Sequence, residues 1–124
     1  MGKQSSERKR ELTKQYQKMP KQMGVYCIRN RDTDQCYVAA SRDIQARFNR
    51  HRFELQTGVE RTSDALQQDW TELGAEHFEF VILEALEPLD DIGYDPAEDL
   101  ATLETLWLEK LKPYPPAGYN TSVD

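Results

Sequence analysis

Cysteine is scarce in this chain, and apolar runs of membrane-spanning length are missing. Its 124 residues include two cysteines, Cys27 and Cys36, too few for a disulfide framework and without zinc-ligand spacing. They flank a predicted hairpin and are expected to be two small buried thiols. No segment is long and apolar enough to cross a bilayer, and no secretory signal precedes the first predicted strand. A cytoplasmic protein without a membrane partner is therefore expected. Hydrophobic residues make up only 38% of the chain and charged ones 31%, a low apolar share for a globular protein. Two Trp, six Tyr and four Phe still provide one core, in a length that fits one domain but not two.

The net charge of −6 argues against a nucleic-acid partner until its distribution is considered. Residues 1–52 carry 13 Lys/Arg against 5 Asp/Glu, whereas residues 53–124 carry 3 against 17. This asymmetry suggests a basic face that follows a phosphate backbone and an acidic body that does not, although two ordinary solvated faces would give the same count.

Ser5 or Ser6 is placed to cap a charged helix that runs to about Lys18, where Met19-Pro20 ends it. Residues 1–20 thus read as a basic helical extension, and residues 21–124 as the domain proper. Gly24–Ile28 and Cys36–Ala39 are predicted as the two strands of a hairpin, joined by turn formers over residues 30–35. Ser41 is placed to cap a second helix to about Gln56, with Ile44, Phe48, His51 and Leu55 on one face. A third helix starts at Thr62 or Ser63, carries Leu66, Trp70 and Leu73 on one side, and closes at Gly74. Residues 77–86 make a third strand with Phe78, Phe80 and Ile82 on one face. After an acidic loop, Asp95-Pro96-Ala97-Glu98 signals a last helix that continues to Lys112 and stops at Pro113. The order predicts an α+β domain with a small three-stranded antiparallel sheet flanked by helices.

Several residues fit poorly as structure alone. Glu104 falls within or beside the apolar stripe formed by Leu100, Leu103, Trp107, Leu108 and Leu111. An unpartnered carboxylate there costs several kcal/mol, so it pairs, binds a cation, or reaches water from the edge of the stripe. Arg47 and His51 stand four apart on one side of the second helix. An arginine there can clamp phosphate oxygens, or simply sit on the surface beside a half-buried His. Tyr26 and Tyr37 are placed to share a face of the hairpin, which is also ordinary cross-strand packing.

The joint order of these residues is informative. Gly24-Val25-Tyr26, then Tyr37-Val38-Ala39, resembles the two-part signature of the GIY-YIG nuclease family. The segment Ser41–His51 resembles the following helix of that family, Phe78–Glu84 its third strand, Leu103–Trp107 its metal-binding Glu segment, and Gly118-Tyr119-Asn120 its closing Asn motif. The resemblance runs from Gly24 to Asn120 and implies hydrolysis of DNA phosphodiesters with Mg²⁺ or Mn²⁺ and no small-molecule cofactor. It implies that Glu104 holds the metal and that Arg47 neutralises charge on the phosphoryl oxygens. Tyr26 would orient or deprotonate the attacking water, with Tyr37 hydrogen-bonding beside it. His51 would relay protons, and Asn120 would fix the geometry of the site or a phosphate. Arg42 and Arg50 would contact substrate. An ordinary Tyr titrates near ~10, so base chemistry at Tyr26 would need nearby positive charge.

The second tripeptide departs from the family at Ala39, where Gly is usual, and Ala40 stands in place of a common Ser. A methyl group there bears on catalytic rate more than on fold. This motivates an alternative, a nucleic-acid-binding module of the same fold with weakened chemistry. A third reading is a protein-interaction domain using the Asp90-Asp91 loop.

Overall fold

The computed structural model describes residues 21–89 and 91–121. The predicted N-terminal helix lies outside them, as does Asp90 of the acidic loop. β1 (Met23–Asn30) and β2 (Cys36–Ser41) form the hairpin, followed by helices α1 (Ile44–Thr57) and α2 (Asp64–Leu73). A short 3₁₀ turn (Ala75–His77) leads into β3 (Phe78–Leu86), and α3 (Ala97–Leu111) follows. The sheet order is β2-β1-β3, antiparallel throughout, as the α+β reading expects.

β1 is central and covered on both sides, which explains why its residues are almost all buried instead of alternating with exposed ones. Val25 and Cys27 face α3 and join Val38 in a cluster closed by Leu103, Trp107 and Leu108. Tyr26 and Ile28 face the other way, toward Ile44, Phe48 and Leu55 of α1 and Leu66 and Trp70 of α2. Each such large side chain contributes about 1.5–3 kcal/mol on full burial. Phe78, Phe80 and Ile82 share the α1/α2 side, as their alternation predicts.

Gly24 opens the first tripeptide for a steric reason. Its φ is 149°, and a Cβ there would sit 2.1 Å from the carbonyl oxygen of Glu84, so any side chain would push β3 away. One residue later the β1–β3 register shifts: Val25 opposes Glu84 but Tyr26 opposes Ile82. This bulge leaves Leu83 as the extra residue of β3 beside the position that carries Tyr26.

The helix boundaries refine the sequence reading. Asp43, not Ser41, is the N-cap of α1. β2 extends through Ser41, so the chain is still a strand there. The Asp43 carboxylate then accepts from the Ala46 N–H at 3.1 Å. Ser63 caps α2 as predicted, its hydroxyl accepting from the Leu66 N–H. Asp95 accepts from the Ala97 N–H at the start of α3. Lys112 turns into the left-handed region at φ 45° and ends that helix; Leu111, the last residue of the predicted stripe, is exposed.

The C-terminal segment seals the outer edge of β2. The Tyr119 N–H donates to Cys36 O at 2.9 Å, and the Asn120 side chain brackets Val38, accepting from its N–H and donating to its C=O, each at 2.8 Å. Gly118 permits this turn, since a Cβ there would lie 2.4 Å from Pro113 O. The Tyr119 hydroxyl, donating to Asp69 at 2.7 Å and accepting from buried Asn30 at 3.0 Å, ties the segment to α2 and β1.

Candidate active site

The β2 edge, the N-terminal half of α1, the loop between α1 and α2, and α3 meet around two tyrosine hydroxyls. Tyr26 and Tyr37 share the α1 side of the hairpin because Tyr26 pairs with Ala39 and Tyr37 with Ile28. Tyr26 is fully buried, packed edge-on against Phe48 with ring centroids 5.3 Å apart. Its hydroxyl lies 2.8 Å from His51 Nε2, with the Arg47 guanidinium of α1 close enough to act on it electrostatically. Tyr37 sits edge-on to the His51 ring at 5.7 Å, and its hydroxyl lies within electrostatic reach of Thr62, Arg47, Glu60 and Glu104.

His51 is buried, and its second ring nitrogen, Nδ1, lies 2.9 Å from Glu60 Oε2. Glu60 is itself buried and is held from three sides. Its Oε1 accepts from the Thr62 N–H at 3.2 Å and from the Thr62 hydroxyl, while its backbone N–H donates to Gln67 Oε1 of α2. No pattern in the sequence pointed to Glu60. It belongs to no helical or strand period, and only the Glu60-Arg61-Thr62 run before the Ser63 cap hints at a local side-chain turn.

Burial pushes the Tyr26 hydroxyl up to about 12, helped by Tyr37 and Glu60 and opposed by Arg47. Arg47 therefore does not by itself turn Tyr26 into a base near neutral pH. Burial raises Tyr37 as well, against Thr62 and Arg47. Burial disfavours charge on Arg47, but the neighbouring Tyr26, Tyr37 and Glu54 outweigh this and raise its pKa. For Glu60, burial likewise opposes the charge, yet the hydrogen bonds from Thr62 and His51 prevail and hold the carboxyl below its ordinary value. Among the described residues no buried polar side-chain atom lacks a partner.

Glu104 projects from the edge of the α3 stripe around the β2 rim, where its Oε2 accepts from the Ala40 N–H at 2.9 Å. It thus pairs with backbone, not with an arginine. Among the described residues, no three His, Cys, Asp or Glu side chains gather as an all-protein metal cage. The donor set offered at Glu104 is one carboxylate, which suits an ion that keeps most of its water and takes other oxygens from a phosphate.

The remaining sequence candidates sit further out. Both amide atoms of Asn120 are engaged by Val38, so its placement suits holding Tyr37 and Ala39 in line. Arg42 and Arg50 are exposed and paired, Arg42 with Asp95 at 2.6 Å and Arg50 with Glu54 at 2.9 Å. Ala39 packs toward Tyr26, Ile44 and Phe48, and Ala40 toward the opposite cluster. Neither lies in the left-handed backbone region that would favour glycine. A groove of about 540 Å³ lies at the β3 edge instead, lined by Arg31, Arg52, Trp70, Phe78 and Phe80, and holds none of the candidate residues.

The sequence model of the GIY-YIG catalytic domain matches residues 22–120. Two solved structures are similar to the chain. One is a mutant of the catalytic domain of the intron endonuclease I-TevI, 25% identical with a TM-score of 0.67, the match covering 83% of this chain and 96% of that one. The other is the catalytic domain of homing endonuclease I-TevI, 27% identical with a TM-score of 0.64, covering 81% and 98%. No curated protein matches. No helix among the described residues is long and apolar enough to cross a membrane. The match across nearly the whole domain and the shared three-stranded architecture agree: the chain belongs to the GIY-YIG nuclease family.

Proposed function

We propose that the chain is an endonuclease that hydrolyses DNA phosphodiester bonds with one Mg²⁺ or Mn²⁺ held by Glu104. The observation that carries this reading is the gathering of Tyr26, Tyr37, Arg47, His51 and Glu104, from four different elements, around one edge of the sheet. The two similar solved domains are endonuclease catalytic domains by title, and the basic N-terminal half of this chain suits a polyanionic substrate.

When bound, the ion held by Glu104 would supply Lewis-acid charge to the phosphodiester. Arg47 neutralises the charge that grows on the phosphoryl oxygens, from a position on α1 beside the two tyrosines. Tyr26 orients the attacking water, and His51 is the group in contact able to take its proton. Tyr37 adds a second hydroxyl beside it. Asn120 acts indirectly, by holding the β2 backbone. Arg42 and Arg50 exchange their surface carboxylates for backbone phosphates, a small cost because exposed ion pairs contribute only about 0–1 kcal/mol.

The test is cleavage of supercoiled, branched and single-stranded DNA with Mg²⁺ or Mn²⁺. Wild-type protein is expected to cut at least one of these, and Glu104→Ala to cut it about 10²–10³-fold more slowly. Equal rates for the two proteins on every substrate would sink the reading.

A further inference from the structure

We infer that Glu60 is a positioning residue for the reaction: it holds the His51 ring in the tautomer whose Nε2 accepts the hydroxyl proton of Tyr26. The inference deepens the nuclease reading above and rests on it for its catalytic part.

The argument starts from what each group can donate. A carboxylate only accepts, so the 2.9 Å contact between Glu60 Oε2 and His51 Nδ1 requires Nδ1 to carry a hydrogen. In the neutral ring Nε2 then bears a lone pair. The 2.8 Å contact with Tyr26 is therefore donated by the tyrosine hydroxyl. Arg47, the cation near this oxygen, can only donate and so does not compete for the O–H, which is left to point at His51. The chain thus has one direction: Tyr26 O–H to His51 Nε2, and His51 Nδ1–H to Glu60.

The direction gives the proton a path. As the attacking water gives a proton to the Tyr26 oxygen, the Tyr26 proton passes to Nε2, and the hydroxide oxygen bonds to phosphorus while the 3′-oxygen departs with the bonding electron pair and takes a proton from solvent water. The resulting imidazolium lies against the Glu60 carboxylate and later returns its proton through Tyr26 to bulk water. Arg47 stabilises any phenolate character on the way.

Thr62 makes the inference testable. Its N–H and hydroxyl both donate to Glu60 Oε1. In Glu60→Gln those donors hold the amide oxygen in that place and turn the NH₂ toward His51. Nδ1 must then accept, and the hydrogen moves to Nε2, where it opposes the Tyr26 hydroxyl.

The experiment uses the full chain, with ¹⁵N-histidine NMR to assign the His51 tautomer and steady-state cleavage kinetics beside it. Wild type is expected as Nδ1–H, Glu60→Gln as Nε2–H, and Glu60→Asp as Nδ1–H again. Glu60→Gln is expected to lower kcat about 10²-fold with KM unchanged, and Glu60→Asp to recover part of it. A merely structural role would move neither the tautomer nor the balance of kcat against KM. An Nε2–H ring in the wild-type protein overturns the inference without any variant, as does a tautomer exchange in Glu60→Gln that leaves kcat unchanged. If wild type cuts no DNA, the nuclease reading falls. The NMR result then decides the positioning of His51: exchange in Glu60→Gln sustains it and retention of Nδ1–H overturns it.

Discussion

The two faces of the sheet are made by alternate residues of the same strands, yet they carry different chemistry. On the α3 face, Val25, Cys27 and Val38 meet Leu103, Trp107 and Leu108. The two thiols there are free, and burial pushes Cys27 up to about 12, so it remains a protonated apolar filler. On the α1/α2 face, Tyr26, Tyr37, His51 and Glu60 bring hydroxyl, imidazole and carboxylate into an aromatic setting. Burying such groups is unfavourable unless they are paired, and here Tyr26, His51 and Glu60 are paired in a chain. One face is therefore a plain apolar core, and the other holds most of the candidate site residues. Glu104 is the exception, rooted in the stripe of the first face and reaching the rim of the second.

Three changes probe this division, in order of expected effect. Arg47→Ala should reduce DNA cleavage about 10²–10³-fold in single-turnover assays while thermal unfolding shifts little. A comparable loss of stability would mean that the polar face is structural after all. Leu108→Ala, on the opposite face, should cost about 2 kcal/mol in urea unfolding, the low end for a leucine because the residue is half-buried. Cleavage per folded molecule should be unchanged, and a large fall there would erase the distinction between faces. The smallest effect concerns acid. Because the folded protein holds the Glu60 carboxyl below its ordinary value, its contribution is present above the unfolded pKa and is lost as pH falls through the folded one. Wild type should therefore lose more stability below about pH 4 than Glu60→Gln does. Parallel Tm-against-pH curves for the two would remove Glu60 from the list of charged buried groups.

Much of the fold was legible because its signals are local. The i, i+4, i+7 spacing of Ile44, Phe48 and His51 set the buried face of α1. Ser63, Gly74 and Asp95-Pro96 marked helix ends through hydrogen bonds that reach only two to four residues. Where a boundary slipped, as at Ser41, two local signals competed and the strand pairing of β2 decided. Most of the candidate site was legible by resemblance, since Tyr26, Tyr37, Arg47, His51 and Glu104 stand in family order. Glu60 was not, because a loop carboxylate has no period and its meaning lies in a partner nine residues away.

The sequence by itself determined the order of elements, the alternation that separates the two faces of the sheet, the glycine that β3 needs at position 24, and membership of a nuclease lineage. Only the tertiary structure decided which polar atoms meet. It set Glu104 on the Ala40 amide, Asn120 on Val38, and Glu60 behind His51. It also raised Tyr26 to about 12 despite the guanidinium beside it. The physical reason is range. Propensity and capping act within a few residues of chain, whereas desolvation and hydrogen bonding depend on whatever the packed chain brings within ~3 Å.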